Sequence, residues 1–299
     1  GSPEHLRNPS MKNINAFFDT YYVPNNMAVI IAGDFNPDEA IVTIGKYFGK
    51  LKKKVIPEFT YQQESEITSP ITAEVLGLDA ENIMLGFRFN GANSDDALYI
   101  SLISTILSNG KAGLIDLNVK QKQLALSASA YTYILGDYSA LILSARPKSG
   151  QTLNDLKDLL LKQIHLLKKG EFPDWMLEAA VNNLKLQEMR RLESNSARTS
   201  LMMNAFLYDI PWEKQINSIE RFNNISKKEL LEFANKHLND NYVVLYKKQA
   251  KPADIPTVQK PPITPVQLNR DVESDFVKSI RNNKVEKIEP VYIDFNSEI

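Results

Sequence analysis

Cysteine is absent from all 299 residues, which removes disulfides, thiolate zinc sites and cysteine nucleophiles together. It leaves the compartment open. Histidine is scarce: His5, His165 and His237 are separated by 160 and 72 residues, so no two stand at helical spacing around one metal ion. Charge of neither sign prevails, because the formal net charge is -1. With no basic stripe, there is no strong electrostatic case for nucleic acid or an anionic membrane as partner, and nucleic acid is not expected. No apolar run approaches the about 18 residues that span a bilayer, and no signal peptide opens the chain. Gly1-Ser2 reads as a cloning remnant, which places the natural amino terminus upstream. Gly-x-Gly-x-x-Gly, Walker and Gly-x-Ser-x-Gly patterns are all missing, so nucleotide binding and serine hydrolase chemistry lack support.

What is present is a long-range recurrence. Ser10, Ile14 and Phe17 mark a helical face, Asn25-Asn26 break it, and Met27 to Ile31 read as a buried strand closed by Gly33-Asp34. The same order returns in Ser226, Leu230 and Phe233, then Asp240-Asn241, then Tyr242 to Leu245. Ser10 and Ser226 are 216 residues apart, and Asn26 and Asn241 are 215 apart. A period this long belongs to repeated domains, not to a solenoid. The expected plan is residues 1–51 as the end of one domain, 52–70 as linker, 71–250 as a second domain of similar build, and 251–299 as a Pro-rich tether.

Punctuation fills in that plan. Asn36-Pro37-Asp38 starts a helix with Ala40, Ile41, Ile44, Tyr47 and Phe48 on its apolar face and Gly49 as its stop. Lys52-Lys53-Lys54 and Pro57 mark an extended, solvated linker. Glu74 to Leu78 and Asn82 to Asn90 are expected strands, the second with Ile83, Leu85, Phe87 and Phe89 on one side. Ser94-Asp95-Asp96 caps a helix to about Ser108, and a shorter one spans Gly113 to Gln123. Leu124 to Leu135 and Tyr138 to Arg146 form a hairpin about Gly136-Asp137. Helices are expected over Leu153 to Lys168 and, as one long element, Pro173 to about Tyr208, with Arg190-Arg191 on its solvated side. Val272 to Ile280 reads as a short helix and Val291 to Phe295 as a strand. Antiparallel strand pairs alternating with grouped helices predict an α+β domain whose helices pack on one sheet face.

The run Tyr21 to Asp34, followed by Asn36-Pro37-Asp38-Glu39 and Lys46-Tyr47-Phe48-Gly49-Lys50-Leu51, resembles the carboxy-terminal part of the first domain in the pitrilysin or insulinase metallopeptidases, the M16 family. The resemblance extends more weakly over Ala73 to Gln249, which is similar to the following, inactive M16 domain. It implies homologous α+β domains of a little over two hundred residues, arranged as two halves around a closed chamber, with zinc on an inverted His-x-x-Glu-His helix. This chain has no such motif, so no cofactor is expected here and zinc is expected in a full-length parent. The histidines read as packing or solvent-facing residues: His165 as a half-buried helix residue, His237 in the place of Tyr21 in the repeat, His5 without a role.

The resemblance also implies, in the half remote from zinc, an Arg and a Tyr seven residues apart that help hold substrate. Aligning Leu124-Ala125-Leu126 with the family's Leu-Ala-Tyr puts Val119 and Leu126 at those positions, and neither can donate a hydrogen bond. That favours the second domain of the first half, or a structural role. Larger relatives add the substrate's amino-terminal part to a strand edge inside the chamber. The matching residues here are Gly110 and Gly113 with Leu126, Ser127, Ala128 and Ser129. Their small side chains equally suit close packing of a helix on the sheet.

The expected function is therefore a non-catalytic domain of an M16-like zinc endopeptidase. It would enclose and hold peptide or unfolded polypeptide, partnered by the remaining domains of the chain or by another M16 subunit. The alternatives are a scaffold or partner subunit in an inactive homologue, and an autonomous binding module. Similarity of Tyr21 to Leu51 to long bacterial envelope proteases points to the periplasm, with the cytoplasm as alternative.

Overall fold

The computed structural model describes residues 2–251 and 268–284, with positions 259, 262 and 289. The Pro-rich stretch falls almost wholly outside the described residues, as does the strand expected over Val291 to Phe295. The chain divides into one unit of Ser10–Pro256 and another built from its two terminal stretches. To the terminal unit belong α1 (Pro3–Arg7) and α11 (Asp275–Asn282), the latter capped by Ser274, whose hydroxyl accepts from the Val277 amide.

The larger unit begins with α2 (Met11–Tyr21) and α3 (Pro37–Phe48), each started by a side-chain cap. Ser10 accepts from the Asn13 amide, and Asn36 accepts from those of Asp38 and Glu39. Five strands follow: β1 (Ile71–Gly77), β2 (Asn82–Asn90), β3 (Ser127–Ile134), β4 (Tyr138–Arg146) and β5 (Tyr242–Gln249). Their order in the sheet is β1-β5-β2-β4-β3. Three pairings are antiparallel, but β1 runs parallel to β5. The sheet is thus mixed where an antiparallel one is expected. Alternating side chains specify a strand's buried face but not its direction, and the whole domain intervenes between β1 and β5.

Helices α4 (Asp96–Leu107), α5 (Leu153–Lys168), α6 (Asp174–Leu192), α7 (Asn195–Leu207), α8 (Trp212–Ile216), α9 (Ser218–Asn223) and α10 (Lys227–His237) complete the unit. The long helix expected over 173–208 is two: Glu193 closes α6, and Ser194 caps α7 by accepting from the Ala197 amide. A cap inside an otherwise helical run outweighs periodicity, because its side chain offers the backbone an alternative partner. The core lies between α4, α5, α6 and α10 and one sheet face. Ile83, Leu85, Phe87 and Phe89 of β2 meet Leu141 and Leu143 of β4, Ile100, Ile103 and Leu107 of α4, and Leu156, Leu160 and Ile164 of α5.

The recurrence is visible in three dimensions as far as the helix. Both copies have a serine cap and an 11-residue helix, α2 and α10, and both leave it through similar angles, at Tyr22 and Leu238. Then they part. Tyr242 to Gln249 enters the sheet between β1 and β2, whereas residues 27–32 join no strand among the described residues, so the strand expected over Met27 to Ile31 is absent. Extended backbone becomes a strand only beside a partner. Val244 is buried on the sheet, while its counterpart Val29 is 45% exposed.

Candidate functional site

Side-chain alternation divides the sheet into a covered and an open face. On the open face Arg88 and Asn90 of β2 stand with Tyr138 and Ile142 of β4 and with Ser129, Tyr131 and Tyr133 of β3. A Cβ added at Gly86, near the middle of this face, would meet nothing within 4 Å. Tyr131 and Tyr133 are exposed. Such a surface offers rings and hydroxyls to a chain laid across it.

Strand β3 is an edge, paired only with β4 among the described residues. The Gly136-Asp137 turn is closed by the Leu135 amide donating to the Tyr138 carbonyl at 3.1 Å. Because hydrogen-bonded pairs alternate in an antiparallel ladder, the odd-numbered residues from 127 bond to β4 and the main chains of Ala128, Ala130 and Thr132 point outward. Consistently, the Ser104 hydroxyl of α4 reaches the Ala130 carbonyl at 3.4 Å. This edge can accept another strand.

The residues named from sequence scatter across this region. Ala128 presents its main chain at the edge, but its side chain, like that of Ala130, is buried beneath the helices. Ser127 and Ser129 face the open side, the latter bonded to the Ser144 hydroxyl at 3.2 Å. Leu126 is 70% exposed, just before β3, and its amide donates to the Arg146 carbonyl. Val119 is buried at 1% exposure in the core. Thus the two positions aligned with the family's Arg and Tyr serve different environments.

Gly110 and Gly113 are committed elsewhere. Both amides donate to Asp116 Oδ2, at 2.9 and 3.1 Å, and the Asn109 amide joins them at 2.8 Å. Lys120 Nζ donates to Asp116 Oδ1 at 2.9 Å. Gly110 has φ +83°, and a Cβ at Gly113 would stand 2.6 Å from the Leu107 carbonyl oxygen, so both positions require glycine. Burial alone raises the Asp116 carboxyl; the Lys120 ammonium and the amides of Asn109 and Gly113 outweigh it and hold the group below its ordinary range. Asp116 is the residue that sequence reasoning passed over. Its signal was an acidic residue inside the short apolar helix expected after Asn109-Gly110. That element is a single π turn, Asp116–Lys120.

The histidines sit apart. His165 of α5 is exposed rather than half-buried; the buried polar position is Gln163, which accepts from the Asn118 amide group at 3.0 Å. His237 packs at a tilt against Phe233 with ring centroids 4.5 Å apart and lies 6.1 Å from Phe89, and burial lowers it from the ordinary histidine value. No group of three or more His, Cys, Asp or Glu among the described residues is placed to hold a metal ion. These side chains do not fit a zinc site, and no chemical step through zinc belongs to them.

A mixed five-stranded sheet with helices on one face and, among the described residues, an edge at β3 is an α+β framework. The family model of the peptidase M16 inactive domain matches residues 10–184, more than half of the chain, and the chain belongs to that family. It is 26% identical over 246 residues to the zinc protease PqqE of Helicobacter pylori, a match covering 80% of this chain and 55% of that protein. The chain therefore spans about half the length of this curated relative. Among solved structures, a protease from Helicobacter pylori superposes with a TM-score of 0.77 at 24% identity, covering 83% of this chain and 61% of the other. The periplasmic protease PqqL from Escherichia coli gives 0.64 at 15% identity, covering 81% and 28%.

Proposed function

We propose that this chain is a non-catalytic part of an M16 zinc endopeptidase, forming one wall of a peptide-enclosing chamber and holding extended substrate at the free edge of β3. The observation that carries the reading is that edge: Ala128, Ala130 and Thr132 turn main chain outward beside an open sheet face, where only the Ala130 carbonyl meets a side chain, the Ser104 hydroxyl at 3.4 Å. Gly110 and Gly113 support the turn next to it by donating their amides to Asp116. Zinc would reside elsewhere in the parent, in a domain preceding this one; that the Helicobacter relative is named a zinc protease supports zinc in the full-length protein. The periplasmic location of PqqL supports an envelope location for this chain too.

Residues 10–51 belong, in this reading, to the end of that preceding domain. Phe18, which is 56% exposed, stands where α10 carries the fully buried Ala234, and Val29 stands where β5 carries Val244. These side chains await the sheet that their copies already possess. Phe18→Ser is expected to leave the melting temperature of this chain within about 2 °C and to lower that of a full-length parent by several degrees, roughly 2–4 °C per kcal/mol of lost burial. Equal shifts in the two proteins would sink the assignment.

The scaffold alternative draws on Val119 and Leu126, which supply no donor for substrate. Metal content and peptide cleavage, measured with and without chelator on this chain and on the parent, separate the readings. Stoichiometric zinc and chelator-sensitive cleavage confined to the parent are expected. Their absence from both would support the scaffold, and cleavage by this chain would overturn both readings.

A further inference from the structure

The segment that joins α3 to β1 lies across one end of the open sheet face, and two side chains hold it by its main chain. Tyr138 Oη accepts from the Glu64 amide at 3.0 Å. Arg88 Nη2 donates to the carbonyl of the next residue, Ser65. The guanidinium sits over the Tyr138 ring at 5.2 Å, which fixes donor and acceptor relative to one another. Tyr61 and Asp137 border the same recess. Neither Glu64 nor Ser65 contributes a side chain to the grip, so its chemistry is that of consecutive N–H and C=O groups.

We infer that Arg88 and Tyr138 form a binding site for the extended main chain of a second polypeptide, and that the chain's own residues 61–67 occupy it as a displaceable strap. Three observations support displacement. Residues 61–66 are all exposed and take no part in helix or sheet. Their grip is two main-chain hydrogen bonds, worth about 1 kcal/mol net each and up to about 3 for the one to a charged group. Beside the strap lies a cavity of about 630 Å³, bordered by Asn90, Asp96, Lys236, His237 and Asn241, with room for the side chains of a longer ligand. An extended or unfolded polypeptide of no fixed sequence is the ligand class that such a clamp recognises. The site is on β2 and β4, separate from the edge of β3, and does not depend on the parent being a protease.

The test uses the 299-residue chain, intact and with residues 61–67 replaced by an equal length of Gly and Ser, both checked for unchanged circular dichroism. The probe is a fluorescein-labelled peptide with the sequence of residues 60–68, Thr-Tyr-Gln-Gln-Glu-Ser-Glu-Ile-Thr, together with a scrambled peptide of the same composition. Saturable binding to the strap-replaced chain is expected, at least about tenfold tighter than to the intact chain, where the tethered strap competes at high effective concentration. Arg88→Ala is expected to weaken it about tenfold, the loss of one charged hydrogen bond, and the scrambled peptide to bind within about threefold of the original. Leu126→Ala, next to the free edge, is expected to change nothing. Binding to neither chain, equal binding to both, indifference to Arg88→Ala, or loss on scrambling would each overturn the proposal. None of these outcomes bears on zinc or cleavage, so the chamber reading stands or falls separately.

Discussion

Replacing Asp116 with alanine is expected to lower the stability of this chain by about 3 kcal/mol, because it removes a buried carboxylate that accepts from three amides and leaves those donors unsatisfied, while its ion pair with the partly exposed Lys120 adds little. For a unit of this size that corresponds to a fall in melting temperature of roughly 6–12 °C. Asp116→Asn is expected to do nearly as much harm. It preserves volume, but half of its amide group is a donor, and the carboxylate now faces only donors: the amides of Asn109, Gly110 and Gly113 and the Lys120 ammonium. The Asp116 carboxyl lies below its ordinary range in the folded state. Its contribution is therefore complete above the unfolded value of about 4 and is lost as the pH falls through the lower folded value. Thermal melts of wild type and Asp116→Ala should differ by a constant amount at neutral pH and converge under acid. A gap that widened on acidification would refute this account of the turn.

The second large effect is expected at Phe87, and its neighbour supplies the control. Phe87 is 1% exposed, stands on the central strand β2 and packs its ring 5.5 Å from that of Tyr242. Phe87→Ala should cost about 3–5 kcal/mol, the sum of lost burial and the cavity left behind. Arg88, one residue on, points to the other face and should cost within about 1 kcal/mol when truncated, since its partners are an exposed strap and a tyrosine ring. Chemical denaturation of the two variants measures both. If Arg88→Ala proved as destabilising as Phe87→Ala, the strap would be an integral part of the fold and its displacement would be untenable.

Much of this architecture was legible in the residues. The alternation of Ile83, Leu85, Phe87 and Phe89 defines β2 and its buried face, and the observed strand has the expected bounds. Leu153 to Lys168 is a helix over its full expected length, with Thr152 and Asp155 closing its capping box. These features are local: a period, a cap and a stop can be read within a dozen residues. The recurrence from Ser10 to Ser226 was equally readable.

Pairing and site chemistry were not readable, because they depend on which segments meet. Met27 to Ile31 and Tyr242 to Leu245 carry the same kind of apolar run, yet only the second has a sheet beside it, and a strand without a neighbour leaves its amides and carbonyls unpaired. Gly110 and Gly113 were named from the sequence as residues of a substrate edge, and the structure shows their amides bonded to a carboxylate in the next turn of chain. Arg88 was an unremarked residue on the polar side of a strand until the fold brought Tyr138 and the main chain of residues 64 and 65 to it. By itself the sequence determined the α+β class, the family, the bounds of β2 and α5, and the lack of a histidine pair for zinc. Only the tertiary structure decided that β1 runs parallel to β5, that β3 is a free edge, and that an extended segment is held on the open face. Local propensity acts along the chain, whereas hydrogen-bond partners and burial are supplied across it.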